Sequence, residues 1–179
     1  MRVDPNRTLY RPIVDSNDRL LEDERTYVER VALLLPNFPA DVLGQWFFDH
    51  WMQITDNAWL DLPSLRFANI AWETGEVPLQ NFGHEELLRN RVRYFESEQS
   101  LPDRFCRLLR YMTTEGSWPR PIIVLDTETH LAERPAWLSE GRYHLLGGHN
   151  RVAAFRYLRE RVPLQPLHRI WLVSREPAI

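Results

Sequence analysis

Residues 142–158 read RYHLLGGHNRVAAFRYL and contain the clearest indication of the fold in this sequence. The apolar run at 143–146 predicts a buried strand, Gly147-Gly148 a tight turn, and residues 149–160 a helix that begins directly after the glycines. Strand, glycine turn and helix in this order are typical of an α/β domain.

The Gly-Gly turn also has the composition of an anion site. Glycine adopts positive φ and lets a ligand approach the backbone closely. The first amides of a helix, together with its dipole, attract phosphate. His149, Asn150 and Arg151 occupy the first helical turn, where their side chains can converge on such an anion. A purely structural turn is an equal alternative, since many strand–helix connections contain glycine and bind nothing.

The patterns on either side supply the rest of the fold. Apolar spacing predicts helices at 17–35, 40–54, 84–96 and 103–114, and strands at 65–70, 121–125 and within 162–173. A turn is expected at 74–76 and a polar loop at 127–141. Residues 1–63 are therefore predicted to be an N-terminal helical extension, and residues 64–179 an α/β (α+β) core with the order β-α-α-β-β-turn-α-β.

The composition limits the chemistry. All 22 basic residues are arginine, which excludes a phosphate-loop lysine and a Schiff-base lysine. Arginine still binds phosphate, through a planar fork that stays charged. The single cysteine excludes an internal disulfide and a multi-cysteine zinc site. The polar beginning of the chain and the lack of a long apolar run favour a cytoplasmic protein without membrane insertion.

The stretch GGHNRVAA at residues 147–154 resembles the Gly-Gly-Cys-His-Arg-x-Ala-Ala motif of sulfiredoxins. RPIIVLD before it and VPLQPL after it are also similar to strands of that family, so residues 76–174 resemble the ParB/sulfiredoxin fold superfamily with its mixed-sheet core. The resemblance implies a nucleoside triphosphate, expected to be ATP with Mg²⁺, at Gly147, Gly148 and Asn150. It also makes Arg151 and His149 candidate catalytic residues.

The sequence differs from the family motifs at two places, and these differences limit which functions the resemblance implies. His149 stands where sulfiredoxins have their reactive cysteine, which excludes peroxiredoxin repair. The partition-protein motif Gly-Glu-Arg-Arg-x-Arg is met only at Gly148 and Arg151, so CTP binding of the ParB type is poorly supported.

The helix predicted at 103–114 corresponds to the helix that also contacts the nucleotide in sulfiredoxins. The resemblance places Arg104, Arg107 and Tyr111 at those positions. The alternative is that its arginines form a solvated face. Cys106 lies within an apolar pattern and is predicted to be a packed core thiol.

Carboxylates flank the strand predicted at 121–125. Glu115 is the preferred general base, and Asp126 and Glu128 are placed to hold Mg²⁺ or to orient a water, although a structural role is favoured for such acids. The six histidines show no metal-ligand spacing, and the metal ligands stay unknown.

The chain length, the helical extension and the lysine-free core are similar to the plasmid fertility-inhibition factors of the oncogenic-suppression group. That resemblance implies ATPase and deoxyribonuclease activity, DNA as a partner (including single-stranded transfer DNA), and a block on conjugative or T-DNA transfer. The alternative is a non-enzymatic inhibitor that binds a conjugation or type IV secretion component through its acidic, aromatic-rich extension. The aromatic side chains around Trp46 are predicted to be core, and Arg89, Arg91 and Arg93 to be a solvated face or a DNA contact.

Overall fold

The computed structural model describes residues 7–51, 59–73, 85–97, 101–129 and 142–175. Contacts divide the chain into two compact units. Of the described residues, the first unit contains 7–67, 129 and 173–175, and the second contains the rest. The predicted turn at 74–76, most of the loop at 127–141 and the end of the helix predicted at 40–54 lie outside the described residues.

The protein belongs to the α/β class, as predicted. The α-helices are α1 Glu24–Ala32, α2 Ala40–Val42, α3 Glu85–Glu96, α4 Asp103–Glu115 and α5 His149–Leu158. The strands are β1 Leu65–Glu73, β2 Ile122–Asp126, β3 Tyr143–Gly147 and β4 Leu167–Arg175. They form one four-stranded sheet in the order β1-β4-β2-β3.

Strand β2 is buried along its whole length and pairs antiparallel with β3. Its residues are mostly branched and apolar, which suits a strand with another strand on each side. The register pairs Val124 with Leu145 but Ile123 with Gly147, so a β-bulge interrupts the ladder just where β3 ends.

Helix α5 packs against α3, α4 and β2 within the second unit. Five of its ten residues are buried, and Ala153 and Ala154 are fully buried in the core formed with β2 and β3. A helix surrounded by neighbours is apolar on most sides, which explains why α5 has a weak amphipathic pattern whereas α3 and α4 have strong ones.

The helix predicted at 17–35 begins later and ends earlier than expected. The Asp15 carboxylate accepts hydrogen bonds from the amides of Asn17 (2.8 Å) and Arg19 (2.9 Å), and Val14 bridges to Leu20. These local bonds compete with a helix. Helix α1 therefore starts only after Asp23, whose side chain accepts from the Thr26 amide at 2.8 Å.

The segment after Pro39 continues from α2 into a π-helical turn at Leu43–Phe48 rather than into a regular helix. The prediction that its aromatic side chains form core is confirmed for Trp46 and Phe47, which are buried with Trp59. Phe38 packs on this group, with its ring centre 5.3 Å from that of Phe47.

A buried ion pair fastens the beginning of the first unit to α1. Glu22 is 8% exposed, accepts from the Ile13 amide, and pairs with Arg30 at 2.6 Å. Arg30 also donates to the carbonyls of Leu9 (2.8 Å) and Arg11 (2.9 Å). One arginine thus satisfies a buried carboxylate and two backbone acceptors, which offsets the cost of burying the charge.

We expect the stability of the second unit to fall with acid because of His168. This residue of β4 is fully buried beside the rings of Trp118 and Phe155, with Nδ1 2.9 Å from the Ser117 hydroxyl. Burial lowers the pKa of His168 below its ordinary value. The native state therefore keeps the imidazole neutral, while the unfolded chain takes up a proton as the pH falls below about 6.5.

Above about pH 6.5 the imidazole of His168 is neutral in both states, and the native state has its full stability. As the pH falls from there toward the lowered native pKa, protonation of the unfolded chain reduces the free energy of unfolding. Chemical denaturation from about pH 7.5 to about pH 5 should show that His168→Gln flattens this loss by up to about 1.4 kcal/mol per pH unit. Equal slopes in the wild type and the variant would contradict the assignment.

Candidate functional site

The glycine turn is shaped by its packing on β2. Gly148 has φ 96° and ψ 21°, and a Cβ there would lie 2.7 Å from Cγ2 of Ile122. A Cβ on Gly147 would lie 3.2 Å from Cδ1 of Ile123. Both glycines therefore have a structural reason to be there, and Gly148 also needs its left-handed backbone conformation.

Helix α5 presents its N-terminal amides beside this turn. The Val152 amide donates to the Gly148 carbonyl at 3.0 Å, which is the first bond of the helix, and Gly148 has no side chain with which to cap it. The amides before Val152 have no acceptor within the helix itself. Backbone donors and the positive end of the helix dipole therefore face the same place.

Arg91 of α3 reaches this first turn. Its Nη1 donates a hydrogen bond to Oδ1 of Asn150. Its Nε is buried and has no hydrogen-bond acceptor among the described residues. Burial is the main cause that lowers the pKa of Arg91, and the nearby guanidinium of Arg104 lowers it further.

Arg91 is therefore a cation in contact with Asn150, and Arg104 is a second cation near enough to lower the pKa of Arg91. No salt bridge joins either of them to a carboxylate in the described part of the chain. Arg104 instead lies against the ring of Phe105, with its Cζ 4.8 Å from the ring centre. Two neighbouring cations, one of them partly buried, favour an anion between or beside them.

Arg151 has a visible structural contact. Its Nη1 donates to the carbonyls of Arg120 (2.8 Å) and Pro121 (3.0 Å), which lie just before β2. The side chain therefore ties the beginning of α5 to the beginning of β2. His149 precedes it and is partly buried. Phosphate binding and catalysis by these two residues stay predictions.

The other predicted residues make no contact with the turn that the described residues show. Arg107, Tyr111 and Glu115 lie on the exposed side of α4. The Glu115 carbonyl accepts from the Gln165 side chain at 2.6 Å. Among the described residues, the side chains of these three form no hydrogen bond or ion pair with Gly148 or Asn150.

The prediction that Cys106 is a packed core thiol is wrong, because its side chain is exposed. The buried side of α4 contains Phe105 and Met112, with Leu108 and Leu109 packed against the core. Cys106 lies one position beyond this stripe, so its thiol turns outward.

The acids around β2 have structural roles. Asp126 is buried and pairs with Arg142 at 2.9 Å, and it accepts from the Glu128 amide at 3.2 Å. Glu128 lies 3.4 Å from the same guanidinium. In the part of the chain that the structure describes, no group of three or more His, Cys, Asp or Glu side chains is arranged to hold a metal ion.

Sequence reasoning missed Arg91 as a member of this site. Its flanking arginines, Arg89 and Arg93, are exposed as a solvated face predicts. Arg91 differs because it is three residues after Leu88 and four before Phe95, the two buried residues of α3. That i, i+3, i+7 spacing was the available signal that its side chain borders the core.

Comparison of the chain with models of protein families, with curated proteins and with solved structures found no match. Within the described residues, every helix is too short or too polar for a bilayer crossing.

We predict that Gly148→Ala lowers the free energy of unfolding by about 2 kcal/mol, because Cβ would meet Ile122 and the φ of 96° is strained for alanine. Gly147→Ala is the matched control. Its Cβ would meet only the flexible end of Ile123, and its backbone is not left-handed, so the expected loss is about 1 kcal/mol or less. Urea denaturation measures both, and an equal loss in the two variants would contradict this account.

Proposed function

We propose that this protein binds a nucleoside triphosphate, ATP in the first instance, with the phosphate chain at the first turn of α5. The observation that carries the proposal is Arg91, which contacts Asn150, has a buried Nε without an acceptor and has no carboxylate partner among the described residues. Arg104 is a second cation, near enough to lower the pKa of Arg91. A polyphosphate would supply negative charge to both guanidinium groups and to the helix amides.

Each residue of the proposed site has a different role. Gly147 and Gly148 allow close approach of the phosphates to the backbone, and Asn150 is oriented by Arg91. Arg151, which joins α5 to the segment before β2, adds a positive charge at the same helical turn. In this proposal Arg107 and Tyr111 extend the site along α4 toward the rest of the nucleotide.

The proposed chemistry is hydrolysis of ATP coupled to action on DNA, in a protein of ParB/sulfiredoxin fold that acts like a plasmid fertility-inhibition factor. Its support is the resemblance of the GGHNRVAA segment and the lysine-free composition. His149 acts as the acid or base at the turn, and Glu115 is the alternative base. Mg²⁺ would neutralise phosphate charge when bound, and no ligand set for it is assigned.

Isothermal calorimetry with ATP, with and without Mg²⁺, tests the binding. We expect Arg91→Gln and Arg104→Gln each to weaken ATP binding by about tenfold, since each removes a charge-assisted bond to phosphate. Arg110→Gln is the matched control, because Arg110 is an exposed arginine of the same helix as Arg104. Saturable binding that both site variants leave unchanged would refute the proposed site.

Hydrolysis has its own test. We expect His149→Gln to reduce phosphate release by at least about a hundredfold, the usual contribution of a general acid or base, while ATP affinity changes little. Glu115→Gln, measured in parallel, decides between the two candidate bases. Undiminished turnover in both variants would remove both assignments.

A specific observation favours a second candidate function, that of a non-enzymatic inhibitor which binds a component of the transfer or secretion machinery. The first unit exposes several large apolar side chains, including Leu33 (84% exposed), Leu21 (65%) and Ile13 (53%). Exposed apolar side chains of this size supply area that a protein partner could cover.

Leu33→Ser with Leu21→Ser separates the two functions. If inhibition of DNA transfer is lost while ATP binding and turnover persist, the second function is supported. If inhibition is unchanged in the double variant, this surface is not the contact.

A further inference from the structure

A second arginine-rich feature lies away from the glycine turn, in a cleft between α3 and the end of α5. The cleft has a volume of about 390 Å³ and is open to solvent. Among the described residues, five arginines and three glutamates contribute to its walls, and Val92 is the single apolar one. Both walls belong to the second unit.

Each glutamate of the cleft has an arginine near it. Glu85 forms a two-bond pair with Arg156, at 2.7 and 2.9 Å. Glu96 lies 3.7 Å from Arg161.

The third glutamate, Glu160, lies 3.8 Å from Arg159. Three of the five positive charges are therefore offset within the cleft.

Arg89 and Arg93 supply the two charges that remain. They are exposed, and no hydrogen bond or ion pair of the described residues involves their side chains. They are four residues apart on α3, so they project from the same side of the helix on successive turns.

The charges are spread along the cleft instead of being gathered at one point. The α3 wall runs from Glu85 to Glu96, three helical turns or about 16 Å. A row of this length suits an extended chain that carries a negative charge at regular intervals. Val92 is the only apolar wall residue in the described part of the chain, so the described walls favour contact with a charged backbone over contact with a base.

We propose that this cleft binds the phosphodiester backbone of single-stranded nucleic acid, without reading its sequence. The guanidinium groups of Arg89 and Arg93 contact successive phosphates. The opposite wall is formed by the paired arginines at the end of α5 and just after it. The choice of ligand rests on the proposed action on DNA, whereas the cleft itself is separate from the nucleotide site at Gly148.

Fluorescence anisotropy with a labelled oligothymidylate strand tests the proposal on the full chain. We expect Arg89→Gln/Arg93→Gln to weaken binding by about tenfold at low salt. The slope of log affinity against log salt should fall by about 1.4, because two contacts to single-stranded phosphates are lost. Both side chains are exposed and unbonded, so the variant should melt at the wild-type temperature.

Arg19→Gln/Arg110→Gln is the matched control, since it removes the same charge from exposed positions outside the cleft. We expect wild-type binding from it. An equal loss in this control would show a general charge effect and overturn the cleft assignment, as would full binding by Arg89→Gln/Arg93→Gln.

Two further measurements test whether the ligand is single-stranded nucleic acid. A duplex of the same length should bind more weakly than the single strand, and polyglutamate should compete poorly; equal competition by polyglutamate would overturn the assignment to nucleic acid. ATP calorimetry on Arg89→Gln/Arg93→Gln should give the wild-type affinity. Failure of the cleft proposal is thereby distinguished from failure of the nucleotide proposal.

Discussion

The contact of Gly148 with Ile122 is the constraint on which the second unit depends. Because no Cβ separates them, the beginning of α5 lies directly on β2, and the rest of the helix follows into the core through Val152, Ala153 and Ala154. The same glycine is the N-cap of α5, where the first amides have no acceptor within the helix. A packing requirement and a possible binding geometry therefore arise from one backbone conformation, which explains why the sequence supported both interpretations equally.

Several arginine side chains stabilise the fold by binding buried carboxylates or backbone carbonyls. Arg30 satisfies Glu22 and two carbonyls, Arg142 pairs with the buried Asp126, and Arg151 joins α5 to the segment before β2. A lysine ammonium has no planar fork with which to bridge several acceptors at fixed angles. The lack of lysine thus matters for the architecture as much as for phosphate binding. Arg91, Arg89 and Arg93 are conspicuous because they lack this kind of carboxylate partner among the described residues.

The second unit was largely predictable because its elements have strong local signals. The periodicity of α3 and α4, the apolar run of β2 and the glycines before α5 each indicate one structure, and neighbouring elements agree. The beginning of the first unit was not predictable in the same way. The Asp15 carboxylate accepts hydrogen bonds from nearby amides and interrupts a segment whose apolar spacing predicts a helix. The apolar spacing does not include these side chain–backbone bonds, so it could not predict the interruption.

The candidate site was predictable only in part. The sequence indicated the consecutive residues 147–151, but it did not indicate that Arg91 of α3 contacts them. Arg91 reaches Asn150 across 59 positions, and no spacing rule within α3 gives that contact. Arg107 and Tyr111 were placed through the resemblance, and Glu115 because it comes before the strand at 121–125. Both arguments fix a position on α4 but not the direction of the side chain.

The outward position of Cys106 gives the protein a single accessible thiol on the helix that also carries Arg104 and Arg107. A maleimide dye attached there would modify one known place in a chain with no other sulfhydryl and no lysine ε-amine to react in its stead. Helix α4 can therefore be observed spectroscopically in the otherwise unaltered molecule.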